Sequence, residues 1–76
     1  MENINNRIVV DPAIMLGKPT IKGTRITAEL ILKTLSEGSS FTDVVDMYPH
    51  LTREDINAAL LYASALVAHE ETLVVV

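Results

Sequence analysis

No cysteine occurs among the 76 residues, so disulfide staples and thiolate metal sites are both excluded. A reducing compartment fits that absence. Tryptophan is missing too, and Phe41, Tyr48 and Tyr62 are the only aromatics. All three fall on apolar helical stripes, which points to core or interface rather than base stacking. No apolar run approaches the ~20 residues needed to cross a bilayer. Met1 to Arg7 lack the basic start and apolar stretch of a secretory leader. The expectation is a cytoplasmic protein that does not enter a membrane.

Basic residues are scarce, 6 against 10 acids, for a net charge of −4. Their distribution is uneven. Arg7, Lys18, Lys22 and Arg25 precede Thr27 and meet only Glu2 and Asp11, whereas Lys33 and Arg53 share the rest with eight acids. Attraction to nucleic acid must therefore come from the first third or from a few placed residues.

What is abundant is apolar material, 49% of the chain, too much for intrinsic disorder. A domain this short buries only about 60% of the surface its unfolded chain exposes. Without disulfides or a metal, association with another chain is the remaining source of stability.

The pattern predicts one domain over residues 1–76, mainly α: a β and turn segment over 7–26, a three-helix unit over 27–71 and an apolar tail over 72–76. Arg7 to Asp11 (RIVVD) is short and β-branched, with Pro12 closing it, which is a strand signal. Met15 to Pro19 (MLGKP) punctuates as a turn, with Gly17 suited to a positive φ. Thr20 to Ile26 (TIKGTRI) reads as a second extended piece broken by Gly23, with Ile21 and Ile26 inward. Thr27 caps the first helix, Ile31 and Leu35 share its inner face, Glu29 and Lys33 pair at i, i+4 outside, and Gly38 ends it. Ser40 and Asp43 form a capping box for a short second helix, whose Phe41, Val44, Val45 and Tyr48 make one stripe.

The third helix has the strongest start signal. Thr52 caps it, Asp55 stands three later, and Leu51 can staple onto Ile56. Ile56, Ala59, Leu60, Ala63 and Val67 form one apolar stripe, and Ala58, Leu61, Tyr62 and Ala65 a second. A helix apolar on two sides is buried on two sides. The second stripe, with Leu73 and Val75 of the tail (TLVVV), is the expected partner interface.

Only Pro49, His50 and Leu51 join the second and third helices, the spacing of a helix-turn-helix. The start of the third helix would then face the major groove. Thr52, Arg53 and Asn57 are the candidate base contacts, and Lys22 and Arg25 the candidate phosphate contacts. Glu54 and Asp55 oppose this unless their charge is spent locally.

Three blocks of sequence, RIVVDP from Arg7, GKPTIKGTRI from Gly17 and YPHLTREDI from Tyr48, resemble the small prokaryotic family known as domain of unknown function 433. The likeness runs from about Arg7 to Val67. It implies a helix-turn-helix-like fold with an N-terminal β element, commonly dimeric. It further implies an antitoxin that masks a nuclease-type toxin and helps repress its own operon on double-stranded DNA. Asn57, where a basic residue is expected, and the valine-rich tail depart from that pattern. The alternative is a protein-interaction module with no DNA-binding activity.

Other chemistries fare worse. A phosphate loop needs four residues between its glycines and a lysine after the second; Gly17 and Gly23 enclose five, and Thr24 follows. Those glycines are better explained as turn formers, with Arg25 bracing the strand against the helices. His50 and His69 are the only histidines. His69, Glu70 and Glu71 are adjacent and would point apart on a helix, so no metal site is expected, and His50 belongs to an exposed turn. No serine, lysine or carboxylate pair has a histidine at a suggestive spacing, so no enzyme and no cofactor are expected.

Overall fold

The computed structural model describes residues 6–69. Strands β1 (Ile8–Val9) and β2 (Thr20–Ile21) pair antiparallel, Ile8 opposite Ile21 and Val9 opposite Thr20. Helices α1 (Ala28–Ser36), α2 (Phe41–Met47) and α3 (Arg53–His69) follow. The fold is thus mainly helical, with a short β element ahead of a three-helix unit, as the sequence predicts. Both strands are shorter than the patterns suggest. Beyond Ile21 the chain turns through Lys22 to Arg25, and extended pairing resumes only at Thr27, which bridges to Thr20.

The helix starts follow from local chemistry. The Thr27 side chain accepts from the Leu30 N–H at 3.0 Å. Ser40 and Asp43 complete a capping box, each accepting from the other's backbone. Each such bond satisfies an amide that the first turn leaves without an intrahelical partner. Gly38, at φ +105, ends α1 with its N–H donating to the Leu35 carbonyl; a side chain would resist that backbone.

Before β2, Met15, Leu16 and Gly17 all take left-handed backbone, at φ of 49, 59 and 86. Only Gly17 was legible, because Met15 and Leu16 carry side chains that disfavour the region. The Ile14 N–H to Asp11 carbonyl bond and the Lys18 N–H to Met15 carbonyl bond hold the turn. Leu16 is left in water.

The core lies where the three helices and the hairpin meet: Ile8, Ile21, Ala28, Ile31, Val44, Leu51, Ile56, Ala58 and Ala59. Phe41, Tyr48 and Tyr62 pack on its margin, in keeping with their place on the stripes. Leu51 and Ile56, the expected staple, are both fully enclosed. Glu29 differs from expectation, since it pairs with Lys18 at 3.3 Å rather than with Lys33. Both groups are exposed, so that pair contributes little.

Candidate functional site

The α2–α3 turn delivers α3 with a capping box at its start. The Thr52 hydroxyl accepts from the Asp55 N–H at 3.2 Å, and Asp55 Oδ2 accepts from the Thr52 N–H at 3.0 Å. The other Asp55 oxygen accepts from Arg7 Nη1 at 2.9 Å. Asp55 is buried, so its charge is spent on the cap, on Arg7 and on the positive end of the helix. One of the two acids that oppose DNA contact is thereby neutralised. Glu54 beside it stays exposed.

The brace between the hairpin and the helices is therefore Arg7, not Arg25. Arg25 is exposed on the turn after β2 and belongs to neither ion pair seen among the described residues. The correction has a simple geometric cause. Arg7 abuts β1, which packs on α3, whereas the turn at Gly23 (φ +82) carries Arg25 away.

The candidate DNA contacts divide between places. Thr52, Arg53 and Asn57 are exposed at the start of α3. The Arg53 guanidinium lies 5.1 Å above the Phe41 ring, a cation–π contact that ties it to α2. Lys22 and Asn57 line one groove, together with Arg7, Glu54, Ala58 and Leu61. Lys22 also lines a second groove with Arg25 and His50. No sequence pattern joins His50 to those cations, because 25 positions separate it from Arg25.

The candidate partner interface divides as well. Ala58 is buried within the chain's own core, which corrects its assignment to an outer stripe. Tyr62 packs against that core and Ala65 is half-buried. Leu61 is 52% exposed. Leu73 and Val75 lie outside the described residues. The stripe expected to face inward is divided in its turn: Ile56 and Ala59 are fully enclosed, but Leu60 and Val67 are 38% and 69% exposed. Leu66, assigned to neither stripe, is 50% exposed. From Ile56 to Ala68 the helix carries no charged residue. The outcome is a helix anchored by its first two turns, whose later turns carry apolar side chains past the end of the core.

Among the described residues no helix is long and apolar enough to cross a membrane, and no three histidine, aspartate or glutamate side chains gather as metal ligands would.

Comparison with known proteins places this architecture. The family model described as "Protein of unknown function (DUF433)" matches residues 8–63. The crystal structure of a DUF433 member protein from Anabaena variabilis is similar, with a TM-score of 0.76 and 29% sequence identity. The alignment covers 82% of this chain and 61% of that one, so this chain spans about three fifths of that relative's length. No curated protein matches it. The match takes in both strands, α1, α2 and the buried part of α3, and stops short of the helix's last turns. On that evidence of sequence and fold together, the chain belongs to the DUF433 family.

Proposed function

We propose that the protein is an antitoxin-like regulator that works by protein association: it pairs with a second copy of itself through the later turns of α3 and neutralises a nuclease-type toxin by covering it. The observation that supports this is the uncharged, exposed end of α3. Leu60, Ala63 and Val67 recur at i, i+3 and i+7, with Leu66 beside them, continuing the spacing by which Ile56 and Ala59 enter the core. Isolated exposed leucines are ordinary, but contiguous ones on a helix mark association.

A second copy suits this surface better than a charged partner would. Each copy carries a net −4, so copies meet most favourably where neither presents charge. Ala63, Ser64 and Ala68 are small and let two helices approach closely, within about 8–10 Å. Leu61, on the flank of α3 that lines the groove with Lys22 and Asn57, is left for the toxin. The wider reading adds operator DNA, for which Thr52, Arg53 and Asn57 are the base-reading candidates. Exposed Glu54 and the stacking of Arg53 on Phe41 weigh against base reading at the start of α3; the alternative is a protein-interaction module with no DNA-binding activity.

Light scattering tests the pairing. The wild-type chain should show twice the 8.3 kDa of one chain, and Leu66→Asp, placing a charge where the surface has none, should halve that mass. A wild type that stays at the single-chain mass at high concentration removes the basis for pairing. For neutralisation, the product of the neighbouring gene is the natural probe. Nuclease activity unchanged by an excess of this chain contradicts the antitoxin reading.

A further inference from the structure

A groove between the turn after β2 and the α2–α3 turn gathers Lys22, Arg25 and His50. Lys22 and Arg25 line it from one side and His50 from the other, and no acidic side chain is among its lining residues. The groove over Asn57 and Leu61, by contrast, includes Glu54 and Asp55. Two ion pairs join described residues, Arg7–Asp55 and Lys18–Glu29. Lys22 and Arg25 take part in neither and are both exposed.

The turn that carries these cations is held firmly. The Thr24 N–H and hydroxyl both donate to the Ile21 carbonyl, at 3.0 and 2.8 Å, and the Ile26 N–H donates to the Thr24 hydroxyl at 3.0 Å. The Lys22 N–H donates to the Arg7 carbonyl at 2.8 Å. Both cations therefore stand on backbone that is already ordered, which lowers the cost of fixing them on a ligand. The apolar members of the groove, Ile14 and Ile26, are half-buried in the body already. They offer little anchorage to a peptide, which favours a ligand bound by charge.

We propose that this groove holds the phosphate backbone of double-stranded DNA, with Lys22 and Arg25 as phosphate contacts and His50 completing the wall from the α2–α3 turn. The proposal rests on the DNA part of the reading above and is independent of the pairing through α3. It adds His50 and the α2–α3 turn to the two cations that the sequence singles out. Phosphate contacts fix position without reading sequence, so an arrangement of this kind binds duplexes broadly. The Arg25 guanidinium suits a phosphate by its planar fork of donors.

The test uses the full chain and a fluorescent 20-base-pair duplex of arbitrary sequence, titrated by anisotropy between 50 and 200 mM salt. Each neutralised phosphate contributes about −0.9 to the log–log salt slope, so two contacts account for about −1.8, a roughly twelve-fold loss of affinity across that range. The Lys22→Ala, Arg25→Ala double variant should lose that share of the slope while keeping the wild-type melting curve. His50→Ala should weaken binding at fixed salt, and Lys33→Ala, exposed on α1, should leave the slope in place. A wild type that does not bind the duplex at 50 mM salt overturns the proposal, whatever its oligomeric mass. So does a double variant with an unchanged slope. A polyglutamate peptide that binds as tightly, with the same loss in the double variant, also overturns it and makes the groove an acidic-polypeptide site.

Discussion

The first two turns of α3 and its later turns belong to one helix and carry much the same apolar side chains, yet they meet opposite surroundings. Ile56 and Ala59 are completely enclosed, on a helix that packs against α1, α2 and β1. Leu60, Leu61, Leu66 and Val67 stand between 38% and 69% exposed. The same spacing runs through both parts. Periodicity thus tells which side of a helix is apolar, whereas the length of the neighbouring elements decides how much of that side is covered. Here α1 spans 9 residues and α2 spans 7, against 17 for α3. The longer helix outruns them.

That contrast can be broken at its buried end first. Ile56→Ala should lower the unfolding free energy by about 2–5 kcal/mol, since it opens a cavity at a position with no solvent contact. Urea denaturation measures it, and a loss below about 1 kcal/mol would mean that the core closes without this side chain. The cap of α3 comes next. Asp55→Ala removes a capping oxygen and the partner of Arg7 together, and should cost about 1–2 kcal/mol. Arg7→Ala leaves the cap intact and removes a half-exposed pair, so its effect should stay below about 1 kcal/mol. Thermal melts of the two variants sharpen the comparison. Equal losses would assign the whole effect to the ion pair and none to the cap.

Much of this fold was legible because its punctuation is local. Thr27, Ser40 and Thr52 each bond within three residues, and such bonds leave a signature in any short window of sequence. The hairpin and three-helix order followed from β-branching, Pro12, Gly38 and Pro49, and the family likeness from the blocks around Gly17 and Tyr48. What stayed hidden depends on contacts across the chain. Arg7 and Asp55 are 48 positions apart and Lys18 and Glu29 are 11 apart, distances at which the sequence offers no register. A helical wheel puts Ala58 on an outer stripe because it carries no information on what the rest of the fold packs there. Leu66 escaped both stripes for the opposite reason: its importance arises from what is not packed on it. The gathering of Lys22, Arg25 and His50 around one groove likewise required the turn at Gly23 to be seen.

The central claim is that the exposed end of α3 is a surface of association. Melting of the wild type and of Leu66→Asp over a hundred-fold range of protein concentration tests it most directly, because folding coupled to pairing makes the midpoint depend on concentration. The account predicts a wild-type midpoint that rises with concentration and a Leu66→Asp midpoint that stays level. A level wild-type midpoint, or a variant that climbs as steeply as the wild type, would contradict it.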